Sequence, residues 1–368
     1  MSDGEEVSYG RLLGGVTEDM LREAINRSGY PFQAAVANKL REYLDKSGGV
    51  RSTIQEEWAY VDAEANETRS IDIFIQASMS RGEHSDKGNH IPFLDMLVEC
   101  KQSEMPYVFF LRGESPNNMF DFPEFAGAFS PIISFINDDT KKIPCEMTVQ
   151  NFLAVWDFPF FNLPTLFAIS VSRAARKGSK LELTGEDAYR SLTFPLLKAS
   201  DHLKNVMRPN PGLPHPNCQI IVCLAVLRAP MYGVIRSVEG EDLISPVPWL
   251  RVCRLEPGQS DPKMNVGNVR YYDVVHEEYL ADYMSQLVGD AKKLGTRVQE
   301  LSDVIYSGMG IGNFVKHYES DELSDKIRSI DSHDDLAFLE REKINAYRIG
   351  RDQGRIRVGK KEVDTELS

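Results

Sequence analysis

The first ordered pattern along the chain has helical spacing. Thr17 followed by an amphipathic run to Asn26 predicts a capped helix closed by Gly29, and Pro31 suits the first turn of a second helix. Within that second run Phe32, Val36, Leu40 and Leu44 recur every four residues, predicting one buried stripe that ends at Lys46-Ser47-Gly48-Gly49.

The pattern then changes to short β-branched and aromatic runs: Trp58–Val61, Ile71–Ile75, Leu94–Cys100 and Tyr107–Leu111 read as strands. A polar, glycine-containing stretch between Ser78 and Asn89 reads as a loop. Residues 112–183, where Pro and Phe recur, fit neither period. Thr184 with Asp187 approximates a capping box for a helix to about Val206, with a kink expected at Pro195. Gln219–Leu227 is almost wholly apolar, as expected of a strand buried on both faces. Trp249–Leu255 and Tyr271–Val275 add strands, and a helix is expected from Glu277 to about Leu294. This order predicts an α/β protein with a mixed β-sheet core flanked by helices. Its expected divisions are a flexible N-terminus (1–16), an α/β domain with insertions (17–295), and a charged helical C-terminal extension with a basic tail (296–368).

Composition narrows the class. With 42% hydrophobic and 10% aromatic residues in 368, the chain can bury a substantial core. No run approaches the roughly 20 apolar residues that span a bilayer, so no membrane partner is expected. Asp3, Glu5 and Glu6 give the N-terminus no secretory character, and a cytoplasmic location is expected. Cys100, Cys145, Cys218, Cys223 and Cys253 are scattered without a CxxC pair, which predicts buried thiols rather than disulfides or a zinc cluster. The histidines show no zinc-ligand spacing either. Trp58, Trp156 and Trp249 read as core residues, and His276 as a structural or capping residue. A net charge of −13 argues against tight non-specific nucleic-acid binding, while leaving room for a local basic groove.

The candidate chemistry lies at the end of one predicted strand. Glu99 and Lys101 stand two residues apart, so on a strand they share a face while Cys100 points away. Asp72 is a second charge embedded in an apolar run. On neighbouring strands Asp72 and Glu99 can share a hard divalent cation, Mg²⁺ or Mn²⁺. The ion would activate a water, and Lys101 would orient that water and stabilise developing charge. The bland alternative is a structural ion-pair network. The acidic-x-Lys spacing alone carries nothing: Asp139-Thr140-Lys141, Asp261-Pro262-Lys263 and Asp290-Ala291-Lys292 have it too, in turn-like or helical settings.

Gly29-Tyr30-Pro31-Phe32-Gln33 opening a helix, Arg69 ahead of Ile71-Asp72-Ile73, Val98-Glu99-Cys100-Lys101 and Pro106-Tyr107-Val108-Phe109-Phe110 occur in an order that resembles the PD-(D/E)XK restriction-endonuclease-like nucleases. The resemblance covers roughly residues 18–111. It implies a Mg²⁺-dependent nuclease acting most commonly on DNA, with Asp72 and Glu99 as metal ligands, the Cys100 carbonyl as a further ligand and Lys101 as the catalytic lysine. Where the family often carries a helix Glu, this chain has Gln33, which supplies no charge but can orient a water. Arg69, Arg173, Arg176 and Lys177 are candidate phosphate contacts. The alternatives are a binding module without turnover, or a scaffold with homo-oligomer or protein contacts made through the C-terminal region.

Overall fold

The computed structural model describes residues 14–48, 50–79, 91–113, 122–128, 132–137, 145–207, 218–236, 240–256 and 268–312. Helices α1 (Glu18–Arg27) and α2 (Tyr30–Lys46) precede β1 (Ser52–Asp62), β2 (Glu67–Ser78), β3 (Phe93–Gln102) and β4 (Tyr107–Arg112). Next come β5 (Glu124–Ala126), β6 (Ile132–Asn137), β7 (Cys145–Thr148), α3 (Val149–Phe152) and two 3₁₀ turns, Val155–Asp157 and Pro159–Phe161. β8 (Phe167–Lys177) and β9 (Lys180–Thr184) lead into α4 (Gly185–Ala188), a π turn over Tyr189–Thr193 and α5 (Phe194–Val206). β10 (Gln219–Arg228), β11 (Met231–Arg236), β12 (Asp242–Pro246), β13 (Trp249–Glu256) and β14 (Asn268–His276) follow. The last elements are α6 (Leu280–Glu300), α7 (Ser302–Ser307) and β15 (Met309–Gly312).

The protein is mixed α/β, built on a large mixed sheet flanked by helices. The main sheet runs β1-β2-β3-β10-β14-β13-β8-β4-β11-β12, with β5 on β10 and β9 on β8; β15, β6 and β7 form a second, small sheet. β3, β10 and β14 are parallel neighbours, whereas β1, β2 and β3 run antiparallel. β10 is buried from Gln219 to Leu227 because it has a strand on either side and a packed layer on either face. One layer is α2 and α6, with Phe32, Val36, Leu40 and Leu44 in the same cluster as Val98, Val226 and Leu287. The predicted stripe is therefore the core face of α2, each fully buried residue contributing roughly 1.5–3 kcal/mol. The other layer is α5, whose Leu196 and Leu203 pack with Leu97, Cys223 and Tyr272.

Local chemistry accounts for most boundaries. Thr17 accepts a hydrogen bond from the Met20 amide and caps α1, and Gly29 takes the left-handed conformation between α1 and α2. The kink expected at Pro195 takes the form of the π turn just before it, since proline has no N–H to continue the helical ladder. α6 continues past residue 295 to Glu300, and β15 pairs with β6, so residues 296–312 pack onto the domain. Cys100, Cys218, Cys223 and Cys253 are buried free thiols. Trp58 and Trp249 are half-buried against the two clusters, but Trp156 is 41% exposed on its 3₁₀ turn, contrary to its reading as core. No helix among the described residues is long and apolar enough to cross a membrane. The expected 78–89 loop lies almost wholly outside the described residues, as do residues 313–368 of the expected charged extension and basic tail.

Candidate active site

The structure brings Asp72, Glu99 and Lys101 together. Lys101 Nζ lies 2.5 Å from Glu99 Oε2 and 3.5 Å from Asp72 Oδ2. The pairing of β2 with β3 runs to Ile73 opposite Val98 and stops there. At the next position the Asp72 side chain replaces the backbone: its Oδ2 accepts the Cys100 amide at 2.7 Å. The N–H and C=O of one strand residue point to the same edge, so the Cys100 carbonyl also faces the Asp72 side.

The inward and outward alternation of β2 reverses at this point. Ile71 belongs to the α5-side cluster, whereas Ile73 and Ile75 belong to the α2-side cluster. β1 reverses opposite it: Ile54 packs on the α2 side, Trp58 and Tyr60 on the α5 side. Between them Glu57 has φ of 52°, a left-handed conformation costly for a non-glycine residue, and the β1–β2 pairing skips this one position. Alternation in the sequence carries no sign of the reversal, and nothing local marks Glu57 as its pivot.

Gln33 is buried on α2, and its Nε2 donates to the Asp72 carbonyl at 2.9 Å. Its amide therefore holds the backbone at the reversal. On the other side β10 fixes β3, with Leu227 in register with Lys101. These contacts place the cluster at the carboxyl end of a parallel strand, where open α/β sheets hold ligands.

The site is electrostatically unbalanced, with two carboxylates facing one ammonium. Burial pushes the Glu99 carboxyl up to about 7; Lys101 acts against this, Asp72 with it, and Glu57 adds to the push. Burial works to lower the Lys101 ammonium, but Glu99 and then Asp72 outweigh it, so its pKa is raised. The buried Cys100 thiol is held well above its usual range by burial and both carboxylates. Lys101 and Asp72 remain partly open to solvent, while Glu99 is buried.

Of the basic candidates, only Arg173 reaches this region. Its Nη2 donates to Ser103 Oγ at 3.3 Å, two residues beyond Lys101, and the Ser103 amide continues the β10 ladder to the Arg228 carbonyl. Burial raises the Tyr107 phenol, with Arg173 and Lys101 acting in opposition, so Tyr107 sits in the field of both cations. Arg176 and Lys177 lie at the far end of the β8–β9 hairpin, where Lys177 pairs with Glu182. Arg69 is engaged by Asp62 at 2.8 Å and stacks over Phe194. His276 caps the chain entering α6, accepting the Glu278 amide on Nδ1 at 3.3 Å. Asp290 and Lys292 lie on α6 as expected, and the other two acidic-x-Lys repeats fall outside the described residues.

Comparison with protein-family models, with curated proteins and with solved structures returns no match.

Proposed function

We propose that the Asp72–Glu99–Lys101 cluster is the active site of a metal-dependent phosphodiesterase, a nuclease acting on DNA, in a restriction-endonuclease-like fold. The observation that carries this reading is the convergence of both carboxylates on one lysine where the β2–β3 ladder breaks. The donor set fits a hard cation. Asp72 and Glu99 offer carboxylate oxygens and Cys100 offers a carbonyl, and Mg²⁺ commonly takes one or two carboxylates and fills its shell with water. Among the described residues no group of three or more His, Cys, Asp or Glu is arranged to hold a metal, so the site relies on that sparse set. Burial and Asp72 both disfavour the ionised form of Glu99, and a divalent cation between the two carboxylates would favour it.

A divalent cation bound there supplies Lewis-acid polarisation of a phosphoryl oxygen and a water of lowered pKa. The chain's own residues do the rest. Asp72 is held at both ends, by Gln33 on its carbonyl and Cys100 on its carboxylate, so the donor geometry is set before substrate arrives. Lys101 keeps its proton and presents an ammonium where charge develops on the phosphoryl oxygens. Arg173 offers a second cation on the approach.

The test is hydrolysis of single- and double-stranded DNA and RNA with Mg²⁺ or Mn²⁺ by the wild type, Asp72→Ala and Lys101→Ala. Metal-dependent cleavage lost in both variants is expected; cleavage that survives Lys101→Ala would overturn the assignment. A second reading, a nucleic-acid-binding module without turnover, is favoured by Gln33, which places an amide where a third carboxylate would add charge. Oligonucleotide binding with no cleavage under any metal would select it.

A further inference from the structure

A groove with a volume of about 510 Å³ lies where β10 turns into β11, facing the start of α6. Pro230, Tyr232, Pro246, Pro248, His276 and Tyr279 shape it. We propose that this groove binds an unpaired nucleobase of a nucleic-acid strand whose backbone crosses the Asp72–Glu99–Lys101 site. The inference rests on the phosphodiesterase reading only for what lies at that second point.

Position supports it first. Lys101 on β3 is in register with Leu227 on β10, and Leu227 with His276 on β14. Leu227 between them is buried, and Tyr279 packs against the α2-side cluster, so the groove opens beyond the strand ends and not on the α5 face. Two interstrand spacings separate Lys101 from His276, roughly 10 Å. Both sites therefore lie at the carboxyl ends of three adjacent parallel strands, a separation that a short stretch of nucleic-acid strand can span.

Chemistry supports it second. Tyr232, His276 and Tyr279 are each half-buried, and among the described residues no other aromatic ring stacks on them. Rings without an aromatic partner among the described residues can offer a π-face to a flat ligand, and base stacking on aromatics is the sequence-tolerant way to hold single strands. Among the described residues the lining contains no Lys or Arg, and Glu278 is its one acid, so the groove is unsuited to phosphate and suited to an uncharged ring. Arg173, near Lys101, has no carboxylate partner among the described residues and can meet backbone charge outside the groove. A base inside a duplex has both faces stacked and cannot enter, so the ligand must be unpaired.

The test uses the full chain in EDTA, where no cleavage occurs, with single-stranded DNA and RNA oligonucleotides carrying 2-aminopurine and the matching duplexes. Binding should quench the 2-aminopurine. Tyr232→Ala and Tyr279→Ala should each weaken single-strand binding about 5- to 100-fold. Tyr279→Phe, which keeps the ring, should bind like wild type, and duplex affinity should not change between variants. Unaltered single-strand affinity in both alanine variants would overturn the proposal, as would equal losses for single strand and duplex. So would capture of a proline-rich peptide in place of the oligonucleotide. The two readings fail separately. Ring-dependent binding without hydrolysis under any metal would remove the phosphodiesterase and leave the groove. Hydrolysis dependent on Asp72 and Lys101, with tyrosine variants that bind normally, would remove the groove alone.

Discussion

Two charged clusters occupy the same sheet and differ in nearly every respect. Arg251 and Asp273 are both fully buried and form a two-pronged pair at 2.8 and 3.0 Å. Arg251 also donates to the carbonyls of Asn162 and Phe160, and its guanidinium lies 3.7 Å from the centroid of the Phe122 ring. Tyr283 donates its hydroxyl to the same Asp273 carboxylate. Charge is balanced there, the hydrogen-bonding capacity is used, and the pair pins the Phe158–Asn162 segment to the sheet. Around Asp72, Glu99 and Lys101 the charge is unbalanced, the strand ladder is interrupted and the ammonium is partly open to solvent. The first cluster closes on itself; the second leaves unequal charge and a broken ladder, the features on which the proposed site rests.

The sharpest break in that contrast is functional. Asp72→Ala or Lys101→Ala is expected to lower metal-dependent phosphodiester hydrolysis by about 10²–10⁴-fold, the range for losing a positioned proton-handling or charge-stabilising group. Steady-state rates with circular dichroism to verify folding would check this, and a loss below about threefold would place the chemistry elsewhere. The converse holds for the closed pair. Arg251→Met leaves the Asp273 carboxylate buried with only Tyr283 to serve it, and should cost about 3–5 kcal/mol of stability. A urea midpoint equal to that of the wild type would show that the pair is not the fastening it resembles.

Asp95 tests the contrast from a third direction. This carboxyl is fully buried four residues before Glu99; Gln76 donates to Oδ1 at 3.2 Å, and Oδ2 has no hydrogen-bond partner among the described residues. Burial pushes it up to about 7. An unfolded Asp titrates near 4, so between about pH 4 and 7 the folded chain holds the extra proton and stability falls as pH rises through that window. Asp95→Asn removes the titration. It should gain on the order of 4 kcal/mol over wild type at pH 8 and almost nothing at pH 4. Denaturant midpoints at the two pH values decide it, since parallel pH profiles would mean that Asp95 stays ionised and finds a partner.

What sequence made legible follows from the range over which each feature is determined. The α2 stripe and the doubly buried β10 depend on local periodicity, and both were readable. Glu99 and Lys101 were readable as a pair because two residues along a strand return to the same face. The reversal at Asp72 was not, because Ile71-Asp72-Ile73 reads as plain alternation while the fold puts the two isoleucines in different clusters. Residues 149–161 resisted reading for another reason: their helical turns are three or four residues long, and the carbonyl of Phe160 is held by a side chain 91 positions away. The order of strands in the sheet is likewise set by long-range pairing, with β10 entering between β3 and β14.

The smallest predicted effect concerns Gln33, where resemblance and geometry disagree. The nuclease family often has a glutamate here, which implies a ligand position, and on that view Gln33→Glu should raise metal affinity and turnover. The structure gives the amide a different task, because Nε2 donates to the Asp72 carbonyl and a carboxylate has no hydrogen to donate. Gln33→Leu should therefore lower hydrolysis about 10- to 100-fold, as for other groups that orient a ligand from behind. Gln33→Glu should fall at least as far, because it loses the donor and sets a negative charge against a carbonyl oxygen. Calorimetric Mg²⁺ titration alongside rate measurements separates the two views. A rise in both affinity and rate for Gln33→Glu would make position 33 a ligand site that this chain has left without its charge. A fall in both variants would make it the brace that keeps the open cluster open, the role that Asn162 and Phe160 play in keeping the other one closed.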